Sequence, residues 1–158
     1  MNFSDRLERA YVGEIFGETL FSVMAKSTAD VTRRSKLTVL ARLEARMQLV
    51  LRPMMESHDI GIPDRSEHDE RAQSAAAALN DEPWEVFLRE FEPSTTRTLE
   101  GYQRLRESAP DPDDPVLLAL VAHEEALREF ARAELLGEGN RSLSPVSAVL
   151  ARLEADSP

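Results

Sequence analysis

Cysteine is absent from this chain of 158 residues, aromatic residues make up only 6% of it, and glycine occurs six times. Without cysteine there is no disulfide scaffold, no thiolate-held zinc or iron–sulfur cluster and no thiol nucleophile. Positive charge is also scarce: 19 lysines and arginines stand against 29 aspartates and glutamates, giving a formal net charge of −10. So acidic a chain has no general attraction for nucleic acid or for an anionic membrane surface, and neither is expected as a partner. No stretch approaches the ~18 apolar residues that span a bilayer. Near the N-terminus, Asp5, Arg6, Glu8 and Arg9 occupy the place where a secretory signal needs an unbroken apolar core, so a cytoplasmic protein is expected. Glycine-rich phosphate loops, a Gly-x-Ser-x-Gly elbow and the His-Glu-x-x-His zinc motif are missing as well.

What the chain does contain is a 42% share of apolar residues spread along its whole length, which excludes a disordered or low-complexity class. They recur at helical spacing, and the prolines and glycines fall mostly between the periodic segments. The expected fold class is therefore all-α, as a single helical-bundle domain over residues 1–158. Helices are expected over about 4–26, 32–55, 81–107, 114–136 and 143–153. Ser4 is the expected cap of the first. Asp81 caps the third with Pro83 in its first turn and Pro93 as a kink, and Asp114 followed by Pro115 opens the fourth, which stops at Gly137. The acidic connection over about 57–80 carries a short helix capped by Ser66.

The four longer helices are joined by a short, a long and a short connection. Two antiparallel hairpins linked by a crossover have this pattern, although the long connection can also return to an adjacent position. If the first hairpin turns near residue 31, Glu18 and Glu44 lie equally far from it and at one level of the bundle. At 100° per residue, Glu18 is central to the arc of Leu7, Tyr11, Ile15, Phe21 and Ala25, with Glu14 one turn before it. Glu44 is central to that of Leu37, Leu40, Met47 and Leu51. On the fourth helix, His123 lies on the stripe of Val116, Leu120, Leu127 and Phe130, and Glu124 lies at its border. A buried carboxylate needs a cation, a metal or a proton, so each of these acids is a salt-bridge partner, a protonated acid or a metal ligand. Two carboxylates brought together in an apolar interior repel, and a divalent ion resolves that conflict.

The segments Gly13 to Glu18 (GEIFGE), Leu43 to Met47 (LEARM) and Ala122 to Phe130 (AHEEALREF), on helices wired in this way, resemble the ferritin-like superfamily. The resemblance covers roughly residues 4–137 and rests more on architecture than on a diagnostic motif. It implies a ferritin-like four-helix bundle with a short C-terminal helix added. It also implies a core metal site for iron or manganese, held by glutamates and Glu-x-x-His pairs. Carried over residue by residue, Glu18 matches the first-helix ligand with Glu14 as a neighbour, Glu44 matches the glutamate of the second-helix pair, and His123 matches the histidine of the fourth-helix pair with Glu124 beside it. The set is incomplete. Met47 stands at one histidine position, Leu120 at one glutamate position, and Glu100 of the third helix lies on its polar side. The candidate metal ligands are thus Glu14, Glu18, Glu44, His123 and Glu124. The implied chemistry is oxidative, with dioxygen or peroxide activated at reduced iron and a small-molecule substrate unnamed by the sequence. The opposing reading is a metal-free, non-catalytic bundle acting in dimerisation or partner binding, in which Met47, Leu99 and Leu120 close the core. A homodimer is expected through the outer face of the first helix (Val12, Phe16, Leu20, Val23) or through the last helix, whose Val146, Val149, Leu150 and Leu153 cover either their own bundle or a second subunit.

Overall fold

A computed structural model describes residues 1–156, and among them it contains six helices and no strand. The chain is all-α. The helices are α1 (Phe3–Ser27), α2 (Val31–Ser57), α3 (Ser66–Leu79), α4 (Trp84–Glu107), α5 (Pro115–Leu135) and α6 (Ser144–Ala155). They lie close to the bounds expected from periodicity, and the differences arise at the caps. Asn2, rather than Ser4, caps α1: the Asp5 N–H donates to Asn2 Oδ1 at 2.9 Å while the Asn2 N–H donates to Asp5 Oδ2 at 3.2 Å. This reciprocal pair satisfies two amides that have no partner within the helix. Ser66 is the first residue of α3 and does not cap it; its amide is taken by Asp64 Oδ1 at 3.0 Å. Pro83, with its fixed φ, is the last residue before α4, so Asp81 lies outside the helix.

Proline interrupts neither long helix. Pro53 lies within α2 and Pro93 within α4, where Thr95 Oγ1 donates to Glu92 O at 2.6 Å. Expected to end near residue 55, α2 runs on to Ser57 and closes without glycine. Asp59 adopts φ 57°, its amide donates to Glu56 O at 3.1 Å, and the Ile60 amide donates to Met55 O at 2.9 Å. That is a Schellman closure with aspartate at the left-handed position glycine usually fills. Gly137, at φ 74°, closes α5 in the same way, as expected.

Two compact units divide the chain. The unit spanning Leu7–Glu82 holds most of α1 together with α2 and α3. Asp30 caps α2 by accepting from the Arg33 N–H at 2.9 Å, and only Thr28–Asp30 separate the two long helices. They run antiparallel: Arg52 Nε donates to the Tyr11 hydroxyl at 3.0 Å, Gln48 Nε2 to Glu14 O at 3.3 Å, and the Glu44 carboxylate lies over Gly17. These pairs share the register expected from a turn near residue 31. Leu7, Ile15, Leu37, Leu40, Met47 and Leu51 form the core of this unit, each removal from water contributing about 1.5–3 kcal/mol. The helix α3 presents Ala72 and Ala76 as its buried residues, too little apolar surface to hold it alone, and polar contacts to α1 supplement them. Thr19 Oγ1 donates to Asp69 Oδ1 at 2.6 Å, and Arg65 bridges Asp69 at 2.9 Å and Glu18 at 3.2 Å.

The second unit contains α4, α5 and α6, grouped with Met1–Arg6. Asp114 caps α5 through the Val116 N–H at 2.8 Å, and Arg106 Nε ties the preceding turn by donating to Pro112 O at 2.9 Å. Arg132 on Glu92 at 2.8 Å and the ring of Tyr102 beside that of His123, centroids 6.0 Å apart, give the antiparallel register of α4 and α5. At the start of α4, Trp84 lies 5.2 Å from Phe87, which stacks on Phe91 at 5.1 Å. The helix α6 packs on α5 through Val146, Val149, Leu150 and Leu153, so its apolar stripe is covered within the chain. No helix of the described residues is long and apolar enough to cross a membrane.

The Asp69 carboxyl is held below the ordinary aspartate value, first by its hydrogen bond from Arg65, against a smaller opposing effect of burial, and also by the bond from Thr19. A lowered folded-state pKa contributes stability that is present above the unfolded value of about 3.9 and is lost as pH falls through the folded value. Amide exchange across residues 66–79 should therefore quicken selectively below about pH 4. Asp69→Asn should quicken it about 3- to 10-fold at neutral pH while α2 keeps its protection; equal exchange in variant and parent would refute this role for Asp69.

Candidate metal centre

Glu14 of α1, Glu44 of α2 and His123 of α5, all three buried, are a group that could hold a metal ion. Each offers one ligand atom, and these atoms lie within 4.8 Å of one another. Exposure is 1% for Glu14, 4% for Glu44 and 0% for His123, so none is a surface group that water can neutralise.

The orientation of His123 is set by its own helix. Nδ1 stands 2.6 Å from the Leu120 carbonyl oxygen, which can only accept, so Nδ1 carries the proton and donates it. In the neutral ring the lone pair is then on Nε2. A backbone carbonyl holding the far nitrogen is the arrangement that orients metal-bound histidines. The neighbouring acid is near as well: Glu124 Oε2 lies 3.8 Å from His123 Nε2, with the Glu124 side chain 7% exposed.

On α1 and α2 the carboxylates are placed by unequal neighbours. Gly17 leaves room for Glu44: a Cβ built there would stand 2.9 Å from Glu44 Cδ and 3.1 Å from both carboxylate oxygens. Glycine in a helix interior costs about 1 kcal/mol relative to alanine, so this close approach is the evident return for it. Gln48, one turn after Glu44 and 4% exposed, reaches α1 with a single amide nitrogen that approaches Glu14 O at 3.3 Å and Glu18 Oε2 at 2.6 Å.

Glu18, also a candidate ligand, stands outside the three-residue group. It lies on the expected stripe and level with Glu44, but its side chain is 27% exposed and is held by Gln48 and Arg65. The three-residue group contains Glu14 in its place. The angle between the two acids around the helix is only about 40°, since four residues advance one turn plus that remainder. Helical periodicity alone therefore did not separate them; Arg65, just before α3, whose docking the sequence did not fix, pairs with Glu18. Sequence reasoning passed over Gly17, Gln48 and the Leu120 carbonyl. A signal existed for the first: two glycines four residues apart within a helix, Gly13 and Gly17, each at a cost in helix propensity.

The donor set is two carboxylates and one imidazole, all hard or intermediate ligands suited to iron, manganese or zinc. Carboxylate and imidazole bonds to a divalent ion of zinc size are about 2.0–2.2 Å long, so donors on opposite sides of one ion stand about 4.2 Å apart. The ligand atoms lie within 4.8 Å of one another, so a pair at that separation would close by about 0.6 Å onto an ion, and the group could hold one. Protein families, curated proteins and solved structures were all compared with this chain, and none matches it.

Long-range proton–nitrogen NMR of the metal-free protein should show the His123 Nδ1 protonated at neutral pH. A spectrum with the proton on Nε2 alone would overturn the assigned tautomer.

Proposed function

We propose that the protein is a ferritin-like helical bundle, acting in the cytoplasm, in which Glu14, Glu44 and His123 hold one iron or manganese ion. The convergence of these three buried ligand atoms is the observation that carries the reading. The Nδ1 contact to Leu120 supports it, because it turns the Nε2 lone pair to the ligating role. Glu124 is a further oxygen donor beside His123. Glu18, the ligand suggested by resemblance, acts instead from outside, where its ion pair with Arg65 and its bond from Gln48 link α1 to α2 and α3.

A bound iron or manganese ion would supply one-electron chemistry toward dioxygen or peroxide, with a small molecule as the substrate to be oxidised. The protein's own share is to exclude bulk water from the ligands, hold His123 in one tautomer and keep the Glu44 carboxylate against Gly17. The half-buried outer face of α1, with Val12, Phe16, Leu20 and Val23, is the surface through which two copies would pair.

One observation favours a second reading, a metal-free bundle serving dimerisation or partner binding. His123 Nε2 and Glu124 Oε2 are close enough for an imidazolium to balance an acid without any ion.

Elemental analysis after loading with ferrous or manganous ion distinguishes the two. One ion per chain is expected in the parent and none in Glu14→Ala or His123→Ala. Metal at about 100 times its dissociation constant should also stabilise the parent by about 2.7 kcal/mol and leave the variants unchanged. A parent chain without stoichiometric metal would sink the metal reading.

A further inference from the structure

The contact between Gly17 and Glu44 has a particular geometry. Of the three atoms nearest the position of a Gly17 side chain, Cδ is closest at 2.9 Å and the two oxygens are equidistant at 3.1 Å. A carboxylate approaching edge-on would bring one oxygen nearer than its carbon. With a C–O bond of about 1.23 Å set perpendicular to the contact, each oxygen falls at about 3.15 Å, which matches the observed pair. The Glu44 carboxylate therefore lies flat across Gly17. Its lone pairs are in the carboxylate plane, so backing by Gly17 fixes the plane in which they are presented.

From this we infer that Gly17 is a positioning residue: the missing side chain sets where, and in which plane, Glu44 presents its oxygens. The inference rests on the metal reading for its functional meaning and on the contact geometry alone for its structural meaning. Alanine is the natural competitor at position 17, because it is the better helix former. Its methyl would meet the end of a flexible side chain rather than backbone. Substitution should thus leave α1 intact and move the carboxylate.

Manganous ion binding, measured on the parent and on Gly17→Ala, tests the functional meaning. The variant is expected to bind about 10- to 100-fold more weakly, the usual effect of disturbing a group that orients a ligand, with unchanged helicity. Equal affinity would overturn the inference. Melting of the metal-free protein tests the structural meaning. In the background Glu44→Ala, where the carboxylate is gone, Gly17→Ala should raise the melting temperature by about 2–4 °C through helix propensity alone, and in the parent it should raise it less or lower it. Glu44→Asp, which withdraws the carboxylate by one methylene, serves as the second background should Glu44→Ala fold poorly. The same shift in every background would also overturn the inference. If the parent itself binds no manganese, the metal reading fails, and the melting cycle still decides whether Gly17 positions Glu44.

Discussion

Glu14 and Glu44 bring carboxylates into helix faces otherwise made of leucine, isoleucine and methionine, and burial of an uncompensated charge there costs several kcal/mol. A helix offers no relief from its own backbone, because its interior amides and carbonyls are already paired. Compensation must come from side chains, a proton or an ion. His123 is itself held in one orientation, with Leu120 taking one ring nitrogen. The positions of Gly17 and Gln48 become intelligible as parts of one electrostatic problem, which leucine in place of Glu14 and Glu44 would not have posed.

A second polar network lies farther out on the same helices and follows different rules. Glu18, Arg65, Asp69 and Thr19 are only partly shielded from water, and ion pairs at such depth contribute little individually. Their value is geometric. With two alanines as its buried residues, α3 has no deep apolar ridge to fix its rotation, and the Arg65 fork and the Thr19 hydroxyl supply the fixed points. Arg65 therefore separates two glutamates one turn apart into an outer, arginine-paired acid and an inner one beside Glu44.

Much of the helical framework could be read from residue spacing. Asp114 and Gly137 are local signals, acting within a few residues of themselves, and the bounds they imply hold. The antiparallel register of α1 with α2 and of α4 with α5 also followed, because a short turn leaves no freedom in which residues meet. Choices between near-equal local options were not legible: Asn2 over Ser4 as a cap, and Asp59 as the residue that closes α2. Glu44 and His123 could be found because each is a polar residue at the centre of an apolar stripe. Glu14 over Glu18 could not be decided, since the answer depends on Arg65, a residue distant in sequence whose reach is a tertiary fact.

The position of Trp84 beside Phe87 at the head of α4 bears on how the molecule can be observed. It is the sole tryptophan, and it belongs to the unit of α4, α5 and α6. Intrinsic emission thus reports on that half of the chain, whereas circular dichroism at 222 nm sums every helix. Coincident denaturation curves from the two signals would mark a molecule that melts all at once, and a gap between them would mark two units that let go separately.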